Sequence, residues 1–218
     1  MTFDCFGTLV DWNGGFHAIL QKFAGDRAQE LVRAYHRYEP SLEAAEYLPY
    51  VDVTRIALER AAQSIDFALK PNDAGAIARE WGTLPVFEDT RPVLEALRAD
   101  GWRLAILTNC DDALFAQTAK TLGVPFDEVV TAEQVRSYKP APAHFAEFAR
   151  RTNVDRDHWI HAACSWFHDI APARRLGIRR IWIDRDRTGE DPSAAHRVLP
   201  DLRDLPQAAR DMLAPAAS

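Results

Sequence analysis

The chain has 218 residues, 47% of them hydrophobic and 27% charged, a composition typical of a globular protein with one domain or a core with a small insertion. Lysine and arginine number 26 against 32 aspartate and glutamate, so the formal charge of −6 gives no overall basis for nucleic-acid binding. No apolar run approaches the roughly 18 residues of a membrane span, and no secretory signal is visible at the N-terminus. Three widely spaced cysteines (Cys5, Cys110 and Cys164) predict no disulfide framework, which favours a cytoplasmic location.

The first part of the chain predicts one strand followed by helices. Residues 1–6 predict a strand that stops at Gly7, and it is so short for a buried strand that we expect the natural chain to begin further upstream. From about residue 16 to residue 79, apolar residues recur at helical spacing. Prolines are expected to divide this region into several helices, at Pro40, Pro49 and Pro71.

After residue 85, strands and helices alternate. Strands are predicted at 102–107, 128–131, 159–163 and 180–183. Helices are predicted at 93–98, 113–122, 143–151 and 170–176, and residues 214–218 are expected to form a frayed tail. The alternation predicts a doubly wound, Rossmann-like parallel α/β sheet with helices on both faces. We expect residues 1–12 and 85–218 to form this core domain and residues 13–84 to form an inserted helical domain.

Polar residues follow the predicted strands in four separate segments. They are Asp4, Thr108 with Asn109, Lys139 and Asp169. In a doubly wound sheet, ligands bind beyond the carboxyl ends of the strands, where all four segments would meet. Taken alone, the aspartates and the Thr-Asn pair are at least equally well explained as turn formers or helix caps, and Lys139 as a solvated loop charge. The coincidence of four at one sheet edge favours a functional site.

These segments resemble the motifs of the haloacid dehalogenase superfamily of hydrolases. Residues 4–8 (Asp-Cys-Phe-Gly-Thr) resemble its first motif, Asp-x-x-x-Thr, and Thr108 resembles its second. Lys139 before a proline resembles the third, and residues 165–169 (Ser-Trp-Phe-His-Asp) resemble the fourth. The order and spacing match over nearly the whole chain. The resemblance implies that Asp4 is a covalent nucleophile and that residues 13–84 are the family's helical cap.

Two positions separate this sequence from the magnesium-dependent phosphatases of the superfamily. Those phosphatases carry acidic residues where Phe6 and Cys164 stand here. Phenylalanine cannot bind Mg²⁺, and a thiol is a poor ligand for so hard a cation. Only Asp4 and Asp169 remain as carboxylate ligands, so we expect no standard metal site and no cofactor. The pattern resembles the L-2-haloacid dehalogenases, which work without metal.

That resemblance implies a two-step hydrolysis of a small 2-substituted carboxylic acid, an (S)-2-haloacid by preference. Asp4 displaces the halide, and water then cleaves the aspartyl ester. Lys139 would keep Asp4 ionised, and Asp169 would help to hold Lys139 and the hydrolytic water. Asn109 matches the residue that donates a hydrogen bond to the halide.

Further substrate contacts are expected on the same grounds. Thr8 and Thr108 would orient Asp4 and bind the substrate carboxylate, and Ser165 lies within the fourth motif. Trp12 follows the first motif closely and is expected to line an apolar pocket between cap and core. A cap arginine, Arg37 or Arg33, would meet the substrate.

The sequence also departs from the dehalogenase pattern. Cys164, Trp166 and Phe145 stand where those enzymes have serine, asparagine and tyrosine. The segment from 161 to 177 is similar to a dehalogenase-like branch that includes an azetidine-2-carboxylate hydrolase, which opens a strained ring with the same carboxylate. Other open alternatives are a Mg²⁺-dependent phosphatase, a non-catalytic relative and a thiolate metal site. A homodimer is implied by the family; the halogen and the enantiomer are left open.

Overall fold

Six short parallel strands form the central sheet of the computed structural model, which describes residues 1–213; the predicted tail at 214–218 lies outside these residues. The strands are β1 (Thr2–Phe3), β2 (Ala105–Thr108), β3 (Glu128–Thr131), β4 (Ile160–Ala163), β5 (Arg179–Ile183) and β6 (Arg197–Leu199). Their order is β3-β2-β1-β4-β5-β6, so β1 lies in the middle and the direction of winding reverses there. This is the predicted doubly wound sheet.

The inner strands are apolar because both of their faces are covered. Every residue of β1, β2 and β4 is buried. The predicted strand at 1–6 is shortened to two residues because the chain turns at Gly7, where φ is +88°, a conformation that favours glycine. Sequence analysis missed β6, an edge strand with two exposed residues and no apolar run to mark it.

Helices occupy most of the stretch between β1 and residue 84. They are α1 (Trp12–Ala24), α2 (Ala28–Glu43), α3 (Tyr50–Ser64) and the short α4 (Ala76–Arg79). The expected break at Pro40 is wrong, because this proline lies inside α2. It is exposed, close to the end of the helix, and followed by the buried Leu42, so packing keeps the last turn helical although one backbone N–H is missing. Pro49 does mark a boundary, as the residue before α3.

The remaining helices flank the sheet. They are α5 (Thr90–Ala99), α6 (Asp112–Leu122), α7 (Ala132–Val135), α8 (Ala143–Thr152), α9 (Ala171–Arg175) and α10 (Leu205–Leu213). The four predicted helices of this half correspond to α5, α6, α8 and α9, while α7 and α10 were not predicted. A π-helical turn at Trp166–Ile170 precedes α9. None of the described helices is both long and apolar enough to cross a membrane.

Aromatic side chains join the helices of the 13–84 segment to the carboxyl edge of the sheet. Trp12 stacks on Phe16 at 5.1 Å between ring centroids, and Trp81 packs edge-on against Phe6 at 4.7 Å. Tyr50, the first residue of α3, also packs against Trp81, at 5.8 Å. Since Phe6 belongs to the loop after β1, this cluster fixes the helices above the strand ends where the polar residues gather.

Candidate active site

Asp4 lies at the centre of the carboxyl edge, immediately after the middle strand. Its backbone N–H still bonds to the carbonyl of Ala162 in β4, at 3.1 Å, which fixes the start of the side chain. Thr8 Oγ1 donates to Asp4 Oδ2 at 2.8 Å and itself accepts the N–H of Cys164 at 2.8 Å. The turn that follows Asp4 thus supplies a hydroxyl that holds the carboxylate, and Asp4 is only 7% exposed.

Lys139 provides the positive charge beside Asp4. Its Nζ donates to Asp4 Oδ1 at 2.9 Å, to Asp169 Oδ1 at 2.8 Å and to the carbonyl of Leu107 at 2.9 Å. Burial alone would lower the pKa of Lys139, but the two carboxylates outweigh burial and hold the pKa above its ordinary value. The lysine is therefore charged and donates all three of its protons to protein acceptors.

Asp169 forms the far side of this buried charge group. Its Oδ1 accepts from Lys139 and lies 3.0 Å from Nε2 of His161, whose Nδ1 lies 2.9 Å from the hydroxyl of Thr2. Burial opposes ionisation of Asp169, yet the ammonium and the imidazole keep its pKa below the usual range. Oδ2 of Asp169 is buried and has no hydrogen-bond partner among residues 1–213, so one strong acceptor remains available.

Asn109 clamps the backbone of Lys139. Its Oδ1 accepts the N–H of Lys139 at 2.7 Å, and its Nδ2 donates to the carbonyl of the same residue at 3.1 Å. Nδ2 also donates its second proton to Glu43 Oε1, over a long distance of 3.5 Å. Asn109 thus connects the loop after β2 with the loop that carries the lysine.

The other expected site residues differ in what they reach. A cavity of about 230 Å³ adjoins Asp4, and Trp12 and Ser165 also line it. Thr8 and Thr108 are fully buried and do not line it. Ser165 Oγ accepts the N–H of His168 at 3.1 Å and so begins the π-helical turn. The carbonyl of Thr108 bonds to Nε2 of a buried histidine on α8, which indicates a structural role for this threonine.

The cap arginines are placed differently from the expectation. Arg33 and Arg37 are both exposed, and neither lines the cavity. They lie four residues apart on α2, on the side that faces solvent. His36, Glu39 and Glu43 occupy the face of α2 that lines the cavity. The expected cap arginine is therefore corrected: helix periodicity turns both candidates outward.

A cavity of about 230 Å³ lies between the strand ends and α2. It is lined by Asp4, Phe6, Trp12, His36, Glu39, Pro40, Glu43, Tyr50, Asn109, Lys139, Ser165, His168 and Asp169. A larger cavity of about 660 Å³ lies at the amino-terminal edge of the sheet and contains none of these residues.

Trp166 and Phe145, which depart from the dehalogenase pattern, do not line the cavity, whereas His168 of the fourth motif does. Trp166 donates from its indole to the carbonyl of Asp191 and does not line the cavity, so it does not substitute for the asparagine of the resembled pattern. Phe145 is buried against the ring of His161, with 5.1 Å between centroids. His168 lines the cavity instead, and burial lowers its pKa, so it is neutral near pH 7.

The cysteines do not favour the thiolate alternative. Burial raises the pKa of Cys5, Cys110 and Cys164, so all three are protonated thiols at neutral pH. Cys164 Sγ lies 3.9 Å from Asp4 Oδ2, too close to the carboxylate for a second negative charge. In residues 1–213, no group of three or more His, Cys, Asp or Glu side chains could hold a metal ion.

Sequence reasoning missed His36, Glu39, Glu43 and His168. The signal that could have found three of them is their spacing, because polar residues at 36, 39 and 43 share one face of a helix. Such a face is ordinarily solvated, and only tertiary packing makes it the roof of a cavity.

Comparison with known proteins agrees with this geometry. The model of the haloacid dehalogenase-like hydrolases matches residues 1–163. (S)-2-haloacid dehalogenase 2 of Pseudomonas sp. (strain CBS-3) is 24% identical over 221 residues, covering 94% of this chain and 93% of the relative. A crystal structure of an L-2-haloacid dehalogenase superposes with a TM-score of 0.87 at 26% identity, over 96% of this chain and 97% of the other.

A further structural likeness extends to a liganded enzyme. The L-2-haloacid dehalogenase of Xanthobacter autotrophicus with chloropropionic acid covalently bound superposes with a TM-score of 0.82, over 97% of this chain and 98% of the other. At 18% identity this likeness shows the fold.

The fold and the site together define a doubly wound α/β hydrolase with a buried aspartate–lysine–aspartate group at the carboxyl edge of its sheet. The chain belongs to the haloacid dehalogenase-like hydrolase family.

Proposed function

We propose that the protein hydrolyses a small (S)-2-haloacid without a metal, through an ester on Asp4. The observation that carries the proposal is the ammonium of Lys139, 2.9 Å from Asp4 and 2.8 Å from Asp169, at the floor of a 230 Å³ cavity. An ionised carboxylate facing a small, partly dry cavity is a nucleophile, and Lys139 and Thr8 hold it in one orientation.

In the first step, a carboxylate oxygen of Asp4 attacks C2 of the substrate opposite the carbon–halogen bond. The C–O bond forms as the C–halogen bond breaks, and halide leaves with the bonding electron pair. Asn109 Nδ2 makes only a long contact of 3.5 Å with Glu43 Oε1 besides its bond to the Lys139 carbonyl, so its second proton is available to the departing halide. Configuration at C2 inverts in this step.

In the second step, water attacks the ester carbonyl of Asp4 and releases a 2-hydroxy acid. The unpartnered Oδ2 of Asp169 is available to accept a hydrogen bond from that water. Neutral His168, which lines the same cavity, is available to take up the proton. The products are the hydroxy acid, halide and one proton, and Asp4 is regenerated.

The division into domains is part of the same proposal. Residues 1–12 and 85–218 would form the core, and residues 13–84 would form the cap. In support, α1 to α4 fall within or at the edge of the second range, and α2 and α3 contribute one wall of the cavity. A cap of this kind excludes water from the nucleophile before the halide is displaced.

A magnesium-dependent phosphatase does not fit the donors. Oδ1 of Asp4 and Oδ1 of Asp169 already share the ammonium of Lys139. The side chains of Phe6 and Cys164 add no hard oxygen to complete an octahedral shell.

The first experiment is chloride release from the two enantiomers of 2-chloropropionate with EDTA present throughout. We expect release from the (S) enantiomer, and we expect Asp4→Asn to reduce it to background, because an amide is a far weaker nucleophile than a carboxylate. Full activity in that variant, or activity that requires added Mg²⁺, would contradict the proposal.

Lys139→Ala tests the role of the cation. We expect kcat to fall by about a thousandfold and stability to fall by about 3 kcal/mol, since two buried carboxylates lose their partner. Arg179→Ala is the matched control. Arg179 is a basic residue that bonds to the carbonyl of Met212 and does not line the cavity, so its loss should leave turnover unchanged.

A further inference from the structure

The proposed active-site cavity carries more negative than positive groups. Four carboxyl side chains line it, from Asp4, Asp169, Glu39 and Glu43. Among the described residues that line the cavity, Lys139 is the only lysine or arginine, and its three protons are all donated to protein acceptors. A substrate that is only an anion would enter this cavity without a free cation to receive it.

Glu39 is fixed by strong donors on the cap. Its Oε1 accepts from the hydroxyl of Tyr35 at 2.9 Å and from the hydroxyl of Tyr50 at 2.5 Å. Its Oε2 lies 3.6 Å from Nδ1 of His36. Two phenol donors on one oxygen hold the carboxylate of Glu39 in place.

Glu43 lies one turn further along α2 and has no close donor. Its side chain is 9% exposed, its Oε1 is 3.5 Å from Asn109 Nδ2, and its Oε2 is 3.6 Å from His168 Nε2. Both distances exceed those of a charge-assisted hydrogen bond. A carboxyl group buried with such poor partners is costly unless a ligand supplies the missing donor.

Asp169 also lines the cavity, and its buried Oδ2 is a second acceptor that no donor reaches in the part of the chain that the structure describes. The cap and the core therefore both present acceptors that the protein itself leaves open, and the cavity has no unused cationic donor of its own. A ligand with a donating positive charge satisfies this arrangement.

We propose that the substrate carries a protonated amine, which binds between Glu39 and Glu43 while the reactive carbon lies over Asp4. The inference rests on the proposed function and narrows it to small amino-bearing acids with a leaving group at C2. The hydrogens of an ammonium group would bond to the two cap carboxylates and replace the long contacts of Glu43.

Binding of such a ligand should displace a proton from Glu43. In the free protein, burial and the neighbouring Glu39 raise the pKa of Glu43 to about 9, against the weaker influence of Lys139 and Asn109. His168, the facing group from the π-helical turn, is neutral, because burial lowers its pKa. An ammonium ion beside Glu43 favours its ionised form, so binding near pH 8 releases a proton to the buffer.

Calorimetry with inert probes tests this without turnover. We would titrate the protein with 4-aminobutanoate and with butanoate, in phosphate and in Tris near pH 8, with EDTA present. We expect 4-aminobutanoate to bind at least about tenfold more tightly than butanoate. The observed heat should depend on the buffer and correspond to release of up to one proton.

Two substitutions and one matched control make the test specific to the cap carboxylates. Glu39→Gln and Glu43→Gln should each reduce the preference for 4-aminobutanoate to near unity, and Glu43→Gln should abolish proton release. Glu46→Gln removes the same charge from an exposed side chain just beyond α2 and should change neither quantity. Three results would overturn the inference. They are equal binding of the two probes, binding of neither probe, and a preference for 4-aminobutanoate that survives both substitutions.

A kinetic comparison separates this inference from the proposed function. We would measure chloride release from 6-amino-2-chlorohexanoate and from 2-chloroheptanoate, in which a methyl group replaces the ammonium. The amine should have a kcat/KM at least about tenfold higher. Chloride release from both substrates at equal kcat/KM would overturn the amine inference and leave the dehalogenase standing. If 4-aminobutanoate binds tightly in a Glu43-dependent way but no 2-chloro acid releases chloride, the amine site would stand and the dehalogenase proposal would fall.

Discussion

All three ammonium protons of Lys139 are donated inside the protein, so under the proposed function this lysine would act through Asp4 and Asp169. Its ammonium lies between the two carboxylates of this buried group and helps to hold the pKa of Asp169 below its ordinary value. Two groups of residues would therefore have different roles. Under the proposed function, residues at the strand ends would prepare the nucleophile, and recognition of the substrate would fall largely to the helices of residues 13–84.

Glu43→Gln should change stability in a pH-dependent way. The pKa of Glu43 is about 9 in the folded protein against an ordinary value of 4.5, so the folded state holds a proton that the unfolded state has lost between these values. Stability contributed by that proton is therefore full below about pH 4.5 and declines as pH rises towards 9. Glutamine cannot ionise, so the variant should melt at least about 3 °C above the parent near pH 8 and close to it near pH 4.

Thermal melts of both proteins across that pH range check the prediction. An equal difference at pH 4 and pH 8 would mean that Glu43 ionises normally.

At the scale of single residues, the sequence predicted the members of the site that belong to motifs. Asp4, Asn109, Lys139 and Asp169 meet at the carboxyl edge of the sheet, as their positions after strands required. Glu39 and Glu43 were not predicted, because acidic residues on a helix are ordinarily solvated. Only the packing of α2 over the strand ends gives them a buried face.

Helix α3 is held in place by a residue of the core. Asp111, in the loop between β2 and α6, accepts the backbone N–H of Tyr50 at 2.8 Å and of Val51 at 2.9 Å. Burial raises the pKa of Asp111, while these two hydrogen bonds act against that rise. A carboxylate at a helix N-terminus interacts favourably with its unpaired N–H groups, so one side chain of the core fixes where the cap helix begins.

Asp111→Ala should loosen this contact. We expect a loss of about 1–2 kcal/mol, as for other helix caps. We also expect KM to rise more than kcat falls, because Tyr50 lines the cavity whereas Asp4 is untouched. Asp52→Ala in the first turn of α3 is the matched control and should stay within about 0.5 kcal/mol of the parent. Denaturant melts and steady-state kinetics measure both effects, and equal behaviour of the two variants would contradict the assignment.

At the scale of elements, the strength of the local pattern decided what could be predicted. The strand Glu128–Thr131 matches the prediction residue for residue, and the flanking helices agree within a few residues. The edge strand β6 has no apolar run, and Pro40 remains helical because the residues around it are packed. Both differences arise from tertiary context that overrides local preference.

An ion pair ties together three distant parts of the core around the first motif. Arg185, which follows β5, donates to both carboxylate oxygens of Asp89, at 3.1 and 2.9 Å. It also donates to the carbonyl of Thr8 at 3.0 Å, and Asp89 accepts the N–H of Leu202 at 2.8 Å. The pair is nearly buried, with side chains 14% and 3% exposed. It therefore links the turn after Asp4 to the segment that precedes α10.

Arg185→Ala should destabilise the whole molecule by about 3 kcal/mol, because it leaves the buried Asp89 without its partner. It should also lower kcat, since Thr8 loses a backbone contact and holds Asp4 less firmly. Arg203→Ala removes an exposed arginine that pairs with Asp201, and it should cost less than about 1 kcal/mol. Urea unfolding combined with kinetics tests the pair, and unchanged stability in Arg185→Ala would refute its role.

The sequence alone determined the class of fold and the family, and it predicted which residues meet at the carboxyl edge of the sheet. Apolar runs that alternate with helical patterns specify a doubly wound sheet, and topology then brings Asp4, Lys139 and Asp169 to one edge whatever the details of packing. The tertiary structure decided what faces those residues. The rotation of α2 about its axis turns Arg33 and Arg37 to solvent and Glu39 and Glu43 inward, and that rotation is fixed by side-chain packing between distant segments.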